Sequence, residues 1–147
     1  MELIAINETF EENADFASNP LYNEMIQTTM DFYKKVGFVP PWIGYLVKQN
    51  SEIVGGAGFK GAPKNDTVEI AYGTFDPYKQ KGFGTAICKL LVDLSLKADP
   101  SVKITARTFS EKNFSTRILV KNNFSCIGTV YDPEDGEVWE WLYNANE

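Results

Sequence analysis

Histidine is absent from this chain. That absence removes Ser-His-Asp and Cys-His catalysis, any histidine general base and every His-containing zinc site. Cysteine occurs only as Cys88 and Cys126, with no Cys-x-x-Cys pair and no metal-ligand spacing. Both lie in apolar stretches, where a free cysteine behaves as a small buried hydrophobe. A disulfide or a reactive thiol is the rarer alternative, and no metal is expected. Apolar runs are too short for a membrane span. The opening Met1-Glu2-Leu3-Ile4-Ala5 lacks the basic region and long apolar stretch of a signal peptide. A cytoplasmic location without a membrane partner is therefore expected. Basic residues are also in deficit: Lys+Arg is 14 against 20 for Asp+Glu, a net charge of −6. Such a chain repels phosphate backbones at long range, so nucleic acid is not an expected partner.

The 147 residues are 44% hydrophobic and 23% charged, which suits one folded domain over residues 1–147. Met1 to Ile6 alternates weakly, as a strand does. Asn19-Pro20 is an N-cap followed by proline at the first helical position. Apolar residues then recur at Leu21, Met25, Ile26, Met30, Phe32, Tyr33 and Val36, and Gly37 follows as a stop. This predicts an amphipathic helix. Trp42 to Lys48 and Ile53 to Phe59 are predicted strands around the turn Gln49-Asn50-Ser51, with another strand from Val68 to Phe75. A long helix begins near Gly82 and ends before Asp99-Pro100. Its Phe83, Ile87, Leu90, Leu91 and Leu94 share one face. Val102, Ile104 and Ala106 alternate with polar residues in a further strand. A shorter helix from about Glu111 to Asn122 and a hairpin of Phe124 to Tyr131 with Glu137 to Tyr143 complete the order. The central β-α-β implies one parallel pair inside a mixed sheet.

Chemistry concentrates in Phe75-Asp76-Pro77-Tyr78-Lys79-Gln80-Lys81-Gly82-Phe83-Gly84-Thr85. A strand enters a short polar loop, then a glycine pair, then a helix. Glycine admits positive φ and close backbone approach, and a helix start offers unpaired N–H donors. Lys79, Lys81 and Lys89 against Asp76 make a local 3 − 1 = +2 in an acidic chain. These are the makings of a pyrophosphate site; a glycine-rich helix start with solvated lysines is the plain alternative. The segment is neither a Walker loop nor a dinucleotide fingerprint, since Ile87 sits where a third glycine belongs. Trp139, Trp141 and Tyr143 share a strand face and serve either the core or an apolar acceptor pocket. Asp132, Glu134, Asp135 and Glu137 form a solvated hairpin tip or a lure for a cationic acceptor.

Strand, Lys79-Gln80-Lys81-Gly82-Phe83-Gly84-Thr85 and long helix together resemble the coenzyme A pyrophosphate loop of the GNAT N-acetyltransferase superfamily. The family pattern is Arg/Gln-x-x-Gly-x-Gly/Ala, with Lys79 here at its first position. Ser115-Thr116-Arg117-Ile118-Leu119-Val120-Lys121-Asn122-Asn123-Phe124 resembles the family's Ser-x-x-x-Leu-x-Lys-x-Gly-Phe, with Asn123 in place of glycine. The resemblance covers roughly Trp42 to Tyr143. Its serine-and-leucine fourth helix leans toward the branch that holds ribosomal-protein N-terminal acetyltransferases.

The resemblance implies an α/β acyltransferase fold: a mixed, mostly antiparallel twisted sheet flanked by helices and splayed between the strands near Phe75 and Val102. Acetyl-CoA would be the co-substrate, lying in that split. Gln80, Lys81, Gly82, Phe83, Gly84 and Thr85 would hold the pyrophosphate on backbone N–H groups, with Lys79 adding charge. Gly73, Thr74 and Phe75 would pair with the pantetheine arm, and Asn113 is a candidate to touch it. An amine would attack the thioester directly, in a ternary complex. Glu69 matches the glutamate that histone-type members use as general base; a surface position or an ion pair with Arg107 is its structural alternative. Leu119 occupies the position of the usual acid tyrosine, so Ser115, Tyr131 or water would protonate the thiolate. The expected partners are acetyl-CoA and an amine acceptor, a small cationic metabolite or drug or a protein N-terminus, with a homodimer compatible. An acyl-CoA sensor or scaffold without efficient turnover is the rival reading. A plain interaction domain is the third.

Overall fold

Asn19 accepts the Leu21 N–H on its side chain, and Pro20 opens helix α2 (Pro20–Val36) where a missing N–H costs nothing. Gly37 ends that helix at φ 93°, a left-handed conformation that glycine adopts freely. In this computed structural model, which describes residues 1–145, α2 lies across one face of a sheet. The remaining elements are β1 (Glu2–Ala5), α1 (Ala14–Ala17), β2 (Gly44–Gln49), β3 (Glu52–Phe59), β4 (Thr67–Thr74), α3 (Phe83–Ala98), β5 (Lys103–Phe109), α4 (Phe114–Lys121), β6 (Phe124–Asp132) and β7 (Gly136–Tyr143). Seven strands form the order β1-β2-β3-β4-β5-β7-β6. Every neighbouring pair is antiparallel except β4 and β5. The mixed, mostly antiparallel sheet and its central β-α-β are those expected.

The parallel pair is short. Thr67, Val68 and Glu69 face Lys103, Ile104 and Thr105, and no register continues past that point. Beyond it β4 stays with β3 and β5 stays with β7, so the sheet forks. Val68, Ile70 and Tyr72 turn to α3, where Ile87, Cys88 and Leu91 complete the core. Glu69, Ala71 and Gly73 alternate to the opposite face, under α2.

Several boundaries move for local reasons. α1 carries only four residues, too few for a periodic signal, and Asn7 and Asn13 fasten it through paired hydrogen bonds. α4 starts at Phe114 rather than near Glu111, because Asn113 and Thr116 close a reciprocal capping box. The buried stripe of α3 is Ile87, Cys88, Leu91, Val92 and Ser95, a part-turn from the predicted face. Ser95 tolerates burial by donating to the Leu91 carbonyl at 2.7 Å. Trp141 is 5% exposed, with Trp139 and Tyr143 packed beside it, so this aromatic face belongs to the core. Its indole N–H donates to Thr108 Oγ1 at 3.0 Å. Cys88 is buried as expected; Cys126 is exposed, because β6 is the sheet's edge. Both are free thiols.

Tyr33 ties three segments together. Its hydroxyl donates to the Ile6 carbonyl at 2.7 Å and accepts the Gly44 N–H at 2.9 Å. Burial pushes its pKa up to about 12, so it serves as a neutral phenol. Tyr33→Phe should therefore cost about 2 kcal/mol, the price of stranding buried backbone groups. Urea unfolding measures this, and a loss below a few tenths of a kcal/mol would contradict it.

Candidate active site

The fork is where chemistry collects. Past Glu69, β4 has no strand on its β5 side, so its edge N–H and C=O groups face open space. β4 then passes through Phe75 into a 3-10 turn (Asp76–Tyr78). Tyr78 anchors that turn, donating to Glu52 Oε2 at 3.0 Å and packing on Phe83. Gln80 and Gly82 follow in left-handed conformation, φ 64° and 82°. Gly82 is the N-cap of α3 and offers no side-chain cap. The first N–H donors of α3 are thus left without a side-chain partner at a positive dipole end, the arrangement that binds anions.

A cleft of about 740 Å³ runs from the free edge of β4, past this loop, to α4. Gly73, Thr74, Lys79, Gln80, Gly82, Gly84, Thr85 and Ser115 all line it. The other predicted residues lie nearby with different contacts. Phe75 stacks on Tyr22 (6.1 Å between centroids) on the α2 side. Phe83 is held by Tyr78, and Lys81 is exposed on the loop. The Asn113 side-chain oxygen accepts the Thr116 N–H as a helix cap. Lys79 pairs with Asp76 at 2.9 Å.

Sequence reasoning missed Phe114, Arg117 and Lys121, which also line the cleft. With Ile118 they follow the i, i+3, i+4, i+7 spacing of one helix face, a signal that was available. Arg117 sits 4.4 Å from the Phe114 ring centroid, a cation–π contact. Lys79, Arg117 and Lys121 give the cleft three cations within a chain of net charge −6. A polyanion is its electrostatic complement.

The opposite face holds a groove of about 600 Å³ between α2 and strands β2 to β4. Cleft and groove share Tyr72, Gly73 and Thr74, so they meet across the free end of β4. A Cβ added to Gly73 would meet nothing within 4 Å. Tyr72 is largely buried against Cys88; burial raises both pKa values, that of Cys88 to about 11, and leaves both groups neutral.

Glu69 sits at the crotch of the fork in a charged network. Lys60 Nζ lies 3.1 Å from its Oε2, and Arg107 Nε lies 3.9 Å from its Oε1. Arg107 also reaches Glu140 at 3.2 Å and Asp132 at 3.0 Å, bridging the two arms of the fork. Desolvation opposes the charge on Arg107, but Asp132, Glu69 and Glu140 outweigh it and hold the guanidinium above its usual range. The N–H groups of Glu134 and Asp135 hold the Asp132 carboxyl below the usual carboxylate range, with Arg107 adding to them. Among the described residues no group of His, Cys, Asp and Glu could hold a metal, and no helix is long and apolar enough to cross a membrane.

Residues 7–125 match the family model described as "Acetyltransferase (GNAT) domain". The uncharacterized N-acetyltransferase YjdG of Bacillus subtilis (strain 168) is 31% identical over 103 residues, covering 69% of this chain and 58% of that protein. The chain therefore spans less than two thirds of that relative. Among solved structures, aminoglycoside acetyltransferase AAC(6')-Ib with coenzyme A and kanamycin has a TM-score of 0.61 at 24% identity, covering 70% of this chain and 66% of the other. The ribosomal-protein alpha-N acetyltransferase RimL with coenzyme A scores 0.68 at 15% identity, covering 98% and 94%. A spermidine N-acetyltransferase SpeG chimera from Vibrio cholerae and hSSAT scores 0.70 at 12% identity, covering 97% and 95%. At these identities the structural likeness is one of fold.

The network makes a pH-dependent contribution to stability. A depressed Asp132 pKa means that its stabilisation is complete above the unfolded value, about 3.9. It is lost as pH falls through the folded value. Thermal melts from pH 7 to pH 3 should show Asp132→Asn less stable at pH 7, with the gap closing on acidification. A gap that stays constant would contradict the assignment.

Proposed function

This chain belongs to the acetyltransferase (GNAT) domain family, and on that premise we propose that it transfers an acetyl group from acetyl-CoA to a primary amine within a ternary complex. The observation that carries the reading is the continuity of three features: an uncapped helix start, an unpaired strand edge and a groove on the far face, all meeting at Gly73. The similar structures are named for acetylating an aminoglycoside, a ribosomal protein and spermidine, and an amine acceptor is what they share.

The residues fit acetyl-CoA as co-substrate. Backbone N–H groups from Gln80 to Thr85 would hold the pyrophosphate, and Lys79, Arg117 and Lys121 would offset its charge. Lys81 would contribute at long range from the exposed loop. The free edge of β4 around Gly73 and Thr74 would pair with the pantetheine amides as a strand would, Phe75 would bound it with its own N–H spent on Val54 and its C=O on Tyr78, and Asn113 would flank the arm from the α4 cap. An amide at that edge would polarise the thioester carbonyl.

The acceptor must lose a proton before it attacks. An alkyl ammonium with a pKa of about 10.4 is neutral in roughly one molecule in 2,500 at pH 7. Glu69 is the carboxylate on the acceptor face of β4. It lies four residues from Gly73, about 13 Å along the strand, so a water relay would carry the proton to it. The amine nitrogen bonds to the carbonyl carbon, the carbon–sulfur bond breaks, and the thiolate takes a proton from Ser115 or from water. Ser115 lines the cleft in the first turn of α4. Two free thiols suit a reducing compartment, and we place the protein in the cytoplasm. The open, uncharged stretch of β6 is where a homodimer would pair.

Release of free thiol from acetyl-CoA on addition of primary amines tests the reaction. Glu69→Gln should lower kcat by about 100-fold while acetyl-CoA affinity holds within twofold. An undiminished kcat would remove Glu69 from the chemistry. Amine-independent or absent thiol release by the folded wild type would overturn the function.

A further inference from the structure

The groove under α2 is made by missing side chains. Gly44, Gly58 and Ala71 lie side by side on β2, β3 and β4, and Gly56 and Gly73 are neighbours one pleat along. In the first of these rows three adjacent strands thus present no side chain beyond one methyl group; in the second, β2 contributes the buried Leu46 opposite Gly56. Two of these glycines answer to helix packing: a Cβ at Gly44 would strike Thr29 at 2.7 Å, and one at Gly56 would come as close to Met25. Gly73 answers to no packing at all. A strand glycine with open space above it marks a place where a ligand approaches the backbone.

The walls are apolar. α2 buries Ile26, Met30 and Tyr33 in the core. It carries a second stripe, Met25, Thr28, Thr29 and Phe32, that lines the groove. The spacing is i, i+3, i+4, i+7, so the whole stripe faces one way. Among the described residues, two charged side chains line the groove, Lys60 and Glu134. Lys60 is already paired with Glu69. The Glu134 carboxylate has no hydrogen bond or ion pair among the described residues. It is carried there by the β6–β7 turn, whose backbone Asp132 and Arg107 hold.

Resting on the acetyltransferase reading, we propose that the acceptor is a small primary amine carrying one positive charge on an apolar body. The body lies against Phe32 and the flank of Met25, over Ala71 and Gly73 where α2 leaves the floor uncovered, the nitrogen points to Gly73, and Glu134 favours a cationic ligand at the mouth. A polyamine or an aminoglycoside carries several charges and would meet one free carboxylate. A peptide needs partners for its backbone, but β2, β3 and β4 spend theirs on one another here. The free edge of β4 faces the cleft on the other side.

The test compares 2-phenylethylamine, spermidine, kanamycin and a short peptide with a free N-terminus, at saturating acetyl-CoA. The expected kcat/KM for 2-phenylethylamine exceeds the others at least tenfold. Phe32→Ala, at a half-exposed position, should raise its KM about tenfold and leave the KM for acetyl-CoA unchanged. Glu134→Gln should raise it about threefold, as for an exposed ion pair. Preference for spermidine, kanamycin or the peptide would overturn the proposal while leaving the acetyltransferase reading intact. Should no amine turn over, that reading falls. Calorimetry of 2-phenylethylamine against the desulfo-CoA complex then decides the groove separately: saturable binding weakened by Phe32→Ala supports the ligand class, and no binding overturns it.

Discussion

Parallel pairing between β4 and β5 lasts three residues on each strand, and the rest of the site depends on its ending there. A strand interior normally spends its N–H and C=O groups on two neighbours. β4 past Glu69 has one neighbour, β3, and a free edge facing the cleft. The same divergence lets one stretch of backbone serve two spaces. Its edge faces the cleft with the uncapped start of α3, while its glycine face floors the groove under α2. A fully zipped sheet would have neither an unpaired strand edge facing the cleft nor a passage between the two sides.

Holding a sheet open requires that its arms be fixed independently. On one side, β4 is anchored by β3 and by Ile70 and Tyr72 packing on α3. On the other, β5 is anchored by β7, and Trp141 buries its ring against that arm with its N–H bonded to Thr108. Arg107 spans the gap with Glu69 on one arm and Glu140 and Asp132 on the other. At 28% exposure the guanidinium is neither fully solvated nor deeply buried, so its several partners weigh more in orientation than in net stability. The consequence lies in placement: Asp132 organises the turn that carries Glu134 to the mouth of the groove.

Much of the cleft lining was legible in the sequence because its signals are local. A glycine pair between a strand and a helix, with lysines beside it, declares an anion-binding helix start from neighbouring residues alone. Arg117 and Lys121 are equally local, at helical spacing from Phe114 on the cleft-facing side of α4. The groove was not legible. It arises from glycines on three strands that become neighbours only through register, and each glycine alone looks like a strand weakener. Exposure of Cys126 was hidden for the same reason, since only strand order shows that β6 is an edge. Glu69 was legible both as a carboxylate on the strand before the loop and as an ion-pair partner of Arg107, and its second partner Lys60 emerged only from the fold.

Titration calorimetry with acetyl-CoA, repeated with desulfo-CoA, tests the central claim most directly. A fork that is a cofactor site should bind acetyl-CoA at micromolar affinity, about 8 kcal/mol, and should keep most of that affinity when the sulfur is removed. The pyrophosphate and pantetheine contacts, unlike the thioester, survive that change. Absence of heat and of any thermal shift with either ligand, on protein shown to be folded, would mean that the fork holds no coenzyme A and would contradict the account.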